Sequence, residues 1–313
     1  QINLTYRETE ELRSNFQSSA MGGSGPELIY GPSDQVGPFA TMGIIQPLDT
    51  LFTDDFFNAF VENAIIDYQG SKWMVGDVVG NHLMLLYNKN LVANPPPNTD
   101  ELIVLGKEHT LDIDGDGKID RYGLVWNFTE PFFYAPWLGG FGGWLLDKDN
   151  QPTLNSEANR KGFTFIKSLR DEHKIIPQEC DYEIANAMFL SGEAAMIING
   201  DWSWGNYMNK VDFGIARIPM VSETGLWPTP IVGTKGYSIN VNVQGRELEK
   251  VKHLLQYLTS AKVQLYFTEK VNSQPSSKTA LKDDRIAENE ILKASAQVVE
   301  VGRPMAVAPE MRA

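Results

Sequence analysis

The chain has 313 residues, of which 42% are hydrophobic and 21% are charged, a composition typical of a globular protein large enough for two lobes. Its formal net charge of −13 argues against nucleic acid or an anionic membrane as a partner, because both require a basic surface. The single cysteine, Cys180, excludes an internal disulfide and a thiolate metal cluster.

Short apolar runs alternate with helical patterns along the chain, which predicts an α/β fold. The first residues, QINLTY, have the pattern of a strand interior. The further predicted strands are ELIYG (27–31), WMVGDVV (73–79), LMLLYN (83–88), AAMIING (194–200), FGIARIPM (213–220) and GYSINVN (236–242). Several are apolar at consecutive positions, as expected for strands that are buried on both faces.

Three helices are predicted from capping residues and apolar spacing. Ser156 is a good N-cap for a helix that carries Phe163, Ile166 and Leu169. Val251 begins an i, i+3, i+4, i+7 stripe, and residues 284–299 have the pattern of another helix. Chain crossings between the two lobes are predicted in the turn-rich stretches near residues 80–82 and 229–236.

Two tryptophans follow the strand AAMIING. Gly200 ends that strand and Asp201 is a good N-cap, so Trp202 and Trp204 fall in a first helical turn, where residues two apart point in different directions. One indole is then free to face a ligand at the carboxyl end of the strand while the other packs into the core. The alternative is that both indoles are core residues.

An aromatic and glycine-rich stretch, TEPFFYAPWLGGFGGW (129–144), contains one carboxylate, Glu130. Aromatic rings cover the C–H faces of sugars, and carboxylates accept strong hydrogen bonds from hydroxyl groups. The stretch therefore favours a carbohydrate ligand.

An acidic loop, DIDGDGKID (112–120), resembles a calcium-binding loop of the EF-hand type. The predicted ligands are Asp112, Asp114, Asp116, the carbonyl of Lys118, and Asp120. The twelfth position, normally a bidentate glutamate, is Gly123. We therefore expect weak calcium binding that stiffens the loop; the alternative is an acidic turn without a metal.

Catalysis is the less favoured interpretation. The carboxylates of Asp34 and Glu130 are candidates for a glycosidase pair, but the sequence does not determine their separation. No GxSxG, HExxH or phosphate-binding glycine loop is present, and the four histidines, which we expect mostly at the surface, lack metal-ligand spacing.

The order of YNKNLVANPPPNTDEL, TEPFFYAPWLGGFGGW, FLSGEAAMIINGDWSW and FGIARIPM resembles extracellular solute-binding proteins of ABC importers, and among them maltose/maltodextrin-binding proteins. The resemblance implies a type II periplasmic-binding-protein fold, in which two α/β lobes joined by hinge segments close over a sugar. It implies a first lobe of residues 1–81 plus 236–284 and a second lobe of 82–235 plus 285–313.

The resemblance also implies a set of sugar-binding positions. They are Arg13, Asp34, Gln35, Asn81, Glu130, Phe132, Tyr182 and Trp202. Trp202 matches an indole that stacks on a glucose ring, which leaves Trp204 as the structural tryptophan. Gln35 stands in place of an arginine, Asn81 in place of a glutamate and Gly31 in place of a tryptophan, so a shorter or differently linked glucoside is an alternative to maltodextrin.

The implied function is binding of an oligosaccharide without catalysis, and its delivery to the permease subunits of an ABC transporter outside the cytoplasm. The alternatives are a glycan-active enzyme and an engineered or split sensor fragment. Relatives have a further strand and helix at the start and further helices at the end. We expect these elements either to be omitted here or to be supplied by another chain.

Overall fold

The protein is described by a computed structural model, which covers residues 2–148 and 151–307. The chain folds into two compact units. The first unit comprises Gln1–Asn81, Gly233–Glu288 and Pro304–Ala313, and the second comprises His82–Val232 and Asn289–Arg303. The chain therefore changes units after Asn81, Val232, Glu288 and Arg303, whereas the division that the resemblance implies has crossings after 81, 235 and 284 and none near 303.

The helices and strands follow one another in a mixed α/β order, as the alternating pattern predicts. The helices are α1 (Thr9–Met21), α2 (Val36–Thr41), α3 (Asp54–Asn58), α4 (Thr99–His109), α5 (Ala135–Gly140), α6 (Glu157–Asp171), α7 (Tyr182–Ser191), α8 (Trp204–Tyr207), α9 (Gly245–Leu258), α10 (Ala261–Val271), α11 (Asp284–Ala287) and α12 (Glu290–Val299). The strands are β1 (Leu28–Pro32), β2 (Ile65–Tyr68), β3 (Ser71–Gly80), β4 (Leu83–Asn88), β5 (Tyr122–Val125), β6 (Ala194–Gly200), β7 (Phe213–Ala216), β8 (Ile231–Ile239) and β9 (Arg303–Pro304).

The sheet of the first unit has the strand order β1-β8-β3-β2, with antiparallel neighbours. Helix α9 covers one face of this sheet because its apolar stripe is aligned along one side. Val251 and Leu255 of that stripe are buried in a core with Val75 of β3 and Ile239 of β8. The predicted stripe of α9 is therefore confirmed.

The sheet of the second unit has the strand order β5-β6-β4-β7, and only the β5–β6 pair in it is parallel. Every residue of β6 is buried, and so are all residues of β4 except Tyr87. The two predicted apolar strands are therefore confirmed, with the same first and last residues. Both lie in the middle of the sheet, and helices α4 and α7 pack against β6.

The structure corrects four predicted elements, one of which is the strand over 213–220, because β7 ends at Ala216. Residues 2–8 form no strand, and α1 follows them, with the Glu8 carboxylate accepting from the N–H groups of its first turn. The predicted helix over 284–299 is two helices, because the Asn289 side chain accepts from the N–H groups of Ile291 and Leu292 and begins α12. Strand β8 ends at Ile239, since Asn240 turns the chain by accepting from the N–H of Asn242.

No helix among the described residues is both long and apolar enough to span a lipid bilayer.

A buried carboxylic acid lies at a bulge in the first unit's sheet. Asp77 falls between Gly76 and Val78, where the register of β3 against β8 shifts by one residue. Burial raises the pKa of Asp77 to about 7, although hydrogen bonds from Tyr30 and Tyr237 oppose this shift. The folded protein therefore retains a proton that an unfolded chain releases near the ordinary value of 3.8.

This difference predicts how stability depends on pH. Between the two pKa values the folded state binds more protons than the unfolded state, so the free energy of unfolding falls as pH rises toward 7. Asp77→Asn removes this titration, and relative to the variant the native protein should lose up to about 1.4 kcal/mol per pH unit in that window. Urea denaturation from pH 4 to pH 8 measures the effect, with the exposed Asp49→Asn as control. Parallel curves for native protein and Asp77→Asn would contradict the assignment.

Candidate functional site

The two tryptophans after β6 have different environments. Trp204 is fully buried, whereas Trp202 is partly exposed and packs at the edge of the second unit's core. Residues Asp201–Ser203 form a 3-10 turn before α8, which rotates the two side chains apart. The predicted divergence of the two indoles is confirmed; the stacking role of Trp202 stays a prediction.

Two aromatic side chains, those of Phe132 and Tyr182, lie beside Trp202. The indole Nε1–H donates to the Tyr182 hydroxyl over 3.1 Å. The Phe132 ring lies with its centroid 6.0 Å from that of Trp202, at an interplanar angle of 53°. Phe132, Tyr182 and Trp202 are all partly buried, so each contributes both to the core and to the surface. We call these three residues the aromatic platform.

The chemistry of the platform suits a ligand with apolar faces. The only polar group of the indole donates to Tyr182, so the rest of the partly exposed Trp202 side chain is an apolar π system. Burial raises the pKa of the Tyr182 hydroxyl, so this group remains protonated at neutral pH and the platform is uncharged. Aromatic faces of this kind attract C–H groups, such as those of a pyranose ring.

Glu130 supplies a carboxylate next to the platform in sequence. It precedes a 3-10 turn, Pro131–Phe133, and its exposed side chain accepts from Asn127 Nδ2 over 3.4 Å. Glu130 and Phe132 are thus in one short loop. Such a carboxylate is an acceptor for hydroxyl groups of a ligand.

A buried polar network connects the segments that carry the platform residues Trp202 and Tyr182. The Asn199 side-chain amide donates to Asn186 Oδ1 over 3.1 Å and to the Tyr207 hydroxyl over 2.9 Å, and the Tyr207 hydroxyl itself donates to Asn186. Asn186 Nδ2 donates to the carbonyl of Tyr182 over 2.6 Å. The network connects the end of β6 with the start of α7, the two elements that carry Trp202 and Tyr182. The sequence pattern did not indicate it, because its members lie at unremarkable positions inside apolar segments.

His82 is a further residue whose position the sequence pattern did not indicate. Contrary to the expectation of a surface histidine, it is 1% exposed, and its Nε2 lies 3.1 Å from Ser295 Oγ. Its Nδ1 lies 3.9 Å from the Asp201 carboxylate. The antiparallel pairing of Leu83 with Gly200 places the two neighbours, His82 and Asp201, side by side. Asp201 therefore contacts His82 and, contrary to expectation, does not cap a helix with its side chain.

The remaining predicted sugar-binding positions belong to the first unit: Arg13, Asp34, Gln35 and Asn81. Asp34 and Gln35 form part of a 3-10 turn after β1 and are buried, and Asn81 is buried with a left-handed backbone, φ 45°. Arg13 forms an ion pair with Glu10 on α1. The role of these four residues in binding stays a prediction.

The structure gives a physical reason for one departure from the family pattern. A Cβ atom at Gly31 would lie 2.5 Å from the amide oxygen of Gln35, so the Gln35 side chain occupies the space that a larger residue would need. Gly31 and Gln35 are therefore coupled: a tryptophan at 31 would displace the buried side chain at 35.

The acidic loop brings three of its predicted ligands together. One carboxylate oxygen from each of Asp112, Asp114 and Asp116 lies within 4.8 Å of the others, and all three side chains are exposed. Asp112 accepts from the N–H groups of Gly115 and Gly117 over 2.7 and 2.9 Å. Asp120 instead accepts from the N–H of Ile113 over 2.6 Å. These bonds shape the loop, and calcium binding stays a prediction.

Packing explains why the twelfth loop position is not glutamate. Gly123 lies in β5, and a Cβ atom there would come within 2.4 Å of the Gly106 Cα on α4. The close approach of α4 to β5 therefore excludes any side chain at position 123. The loop cannot acquire the bidentate glutamate of an EF-hand without moving this helix.

Comparisons with known proteins identify related chains. A sequence profile for bacterial extracellular solute-binding proteins matches residues 1–294. A maltotriose-binding protein of Pyrococcus abyssi (strain GE5 / Orsay) is 28% identical over 240 residues, which are 75% of this chain and 51% of that protein. The chain thus spans about half the length of that relative.

Two solved structures are similar over nearly the whole chain. The maltose/maltodextrin-binding domain MalE from Bdellovibrio bacteriovorus bound to maltotriose is 60% identical with a TM-score of 0.96, covering 98% of this chain and 81% of that one. The Thermus thermophilus maltotriose binding protein bound with maltotriose is 25% identical with a TM-score of 0.87, covering 98% of this chain and 82% of that one. The fold is therefore that of maltose-binding-protein type periplasmic binding proteins, as the sequence resemblance implied.

The network beneath the platform predicts a stability effect. Asn199→Ala removes the acceptor of the Gly200 N–H and one donor to the Tyr207 hydroxyl, so we expect the free energy of unfolding to fall by about 1–3 kcal/mol. Urea denaturation measures the change, and the exposed Asn206→Ala is the matched control. Equal stability of the two variants would contradict a structural role for the network.

Proposed function

Because the chain belongs to the family of bacterial extracellular solute-binding proteins, we propose that it binds a malto-oligosaccharide of about three glucose units without cleaving it. The observation that carries the proposal is the partly exposed indole of Trp202, whose N–H group is bound to Tyr182 and which packs beside Phe132 at the edge of the second unit's core. The 60% identity with a domain bound to maltotriose supports this ligand over other oligosaccharides.

Binding in this proposal combines stacking with hydrogen bonds. The ring face of Trp202 takes the C–H face of one glucose unit, and the Phe132 ring, with its centroid 6.0 Å from that of Trp202, lies beside it. The carboxylate of Glu130 accepts from sugar hydroxyl groups. The sequence resemblance alone supports Arg13, Asp34, Gln35 and Asn81 as further proposed sugar-binding residues. No step in this scheme requires a nucleophile or a general acid, so the proposed activity is binding alone.

We further propose that the protein acts outside the cytoplasm and presents its sugar to the permease subunits of an ABC importer. The family description as extracellular supports this placement. The net charge of −13 is compatible with an uncharged sugar ligand.

Trp202→Ala tests the proposed platform. Loss of a central aromatic anchor should weaken maltotriose binding by about 2–4 kcal/mol, because the sugar loses its stacking surface and the variant leaves water there. Titration calorimetry of the native protein and the variant with maltotriose measures the change. Phe163→Ala, which removes an exposed aromatic ring of α6 in the same unit, is the control and should bind as the native protein does.

Two outcomes would contradict the proposal. A loss of tenfold or less in Trp202→Ala would mean that Trp202 is not the principal platform. Glucose or maltose appearing during prolonged incubation of the native protein with maltotriose would identify a glycan-active enzyme instead.

We also propose that the acidic loop binds calcium weakly. The proximity of the Asp112, Asp114 and Asp116 carboxylates supports the proposal, and the glycine at position 123 limits the affinity. The carbonyl of Lys118 and the carboxylate of Asp120 would complete the oxygen set.

Calorimetric titration with calcium chloride should give a Kd on the order of 10⁻⁴–10⁻³ M, the range of extracellular calcium modules. Asp114→Asn should weaken binding further, because it removes charge from the site, whereas the exposed Asp100→Asn on α4 should not. If no binding heat appears at millimolar calcium, the loop is an acidic turn without a metal.

A further inference from the structure

The backbone conformation of Gly200, the last residue of β6, does not require a glycine. Its φ of −98° and ψ of 168° are extended values that any residue adopts. A Cβ atom at this position, however, would lie 2.1 Å from Cζ3 and 2.2 Å from Cη2 of the Trp202 ring. Carbon atoms normally approach no closer than about 3.5 Å. The six-membered part of the indole therefore occupies the space of the missing side chain.

From this contact we infer that Gly200 is a positioning residue for the sugar ligand: by lacking a side chain, it lets the Trp202 ring lie against the backbone and so sets the plane that a glucose unit meets. The inference rests on the proposed function of Trp202 as the stacking surface. Gly200 itself would not touch the sugar.

The backbone of Gly200 has no room to retreat from an added methyl group. Its N–H donates to Asn199 Oδ1 over 2.8 Å, and its carbonyl accepts from Ser203 Oγ over 2.7 Å. The residue also pairs with Leu83 of β4. Because Asn199 and Ser203 are buried, moving this segment would break hydrogen bonds away from water. The ring, and not the strand, is therefore the part that would yield.

The ring can yield only by giving up its present orientation. It is held by the bond from Nε1 to the Tyr182 hydroxyl, and it packs beside Phe132. An outward shift of more than about 1 Å, as a Cβ contact requires, would lengthen that bond from 3.1 Å beyond hydrogen-bonding distance or tilt the ring. A stacking surface that is fixed before the ligand arrives avoids an ordering cost on binding. Gly200 thus contributes to affinity through preorganisation.

The test compares Gly200→Ala with a matched glycine of the same sheet. Gly214 lies in β7, and a Cβ there would also meet an aromatic ring, at 2.2 Å from Cζ of Tyr87, which is not part of the platform. Titration calorimetry with maltotriose should show that Gly200→Ala lowers the affinity at least about tenfold, which is the effect of losing a moderate anchor residue. In Gly214→Ala the affinity should be nearly unchanged. Near-ultraviolet circular dichroism should report a changed indole signal for Gly200→Ala.

A double variant separates the role of the ring from a general packing defect. In a Trp202→Ala background the ring is absent, so adding Gly200→Ala should cause no further loss of affinity and a smaller fall in melting temperature than it does alone. If Gly200→Ala alone does not fold, folding of the double variant supports the inference. Failure of both to fold overturns it.

The outcomes distinguish this inference from the proposed function. Unchanged maltotriose affinity in Trp202→Ala would refute the platform itself. A strong loss in Trp202→Ala together with native affinity in Gly200→Ala would overturn only the positioning role. Equal losses from Gly200→Ala with and without the indole would also overturn it, since the effect would not act through the ring.

Discussion

The contact between the indole of Trp202 and the bare backbone of Gly200 is the constraint around which the candidate site is built. The ring lies where a side chain on Gly200 would be, and its N–H group is bound to Tyr182 at 3.1 Å. To preserve this hydrogen bond, the end of β6 and the start of α7 must keep their relative positions to within about 1 Å. The buried amides of Asn186 and Asn199 hold them there.

The same principle, a missing side chain that permits close packing, recurs where the chain departs from familiar patterns. At Gly31 the space is taken by the Gln35 side chain, and at Gly123 it is taken by the backbone of α4 at Gly106. In each case the glycine is required by a neighbour and not by its own backbone angles. The departures from the sugar-binding pattern at Gly31 and from the calcium-binding pattern at Gly123 thus have local steric causes, which are independent of ligand chemistry.

Burial favours the uncharged form of a titratable group in each unit. In the second unit the platform is held by neutral groups, and burial keeps the Tyr182 hydroxyl protonated. In the first unit the buried carboxyl of Asp77 lies at a strand bulge, where burial raises its pKa to about 7. A net charge of −13 is therefore carried mainly by exposed residues, such as those of the acidic loop, where water screens them.

The sequence by itself determined the α/β class, the bounds of β4 and β6, the cap of α6 at Ser156 and the different directions of Trp202 and Trp204, because each depends on local periodicity or capping. Only the tertiary structure decided the burial of His82, the network of Asn186, Asn199 and Tyr207, and the steric role of Gly200. The first two features depend on strand register and on contacts between residues distant in sequence, and the third depends on where the Trp202 ring packs. Spacing along the chain does not determine such contacts, so only the tertiary structure shows them.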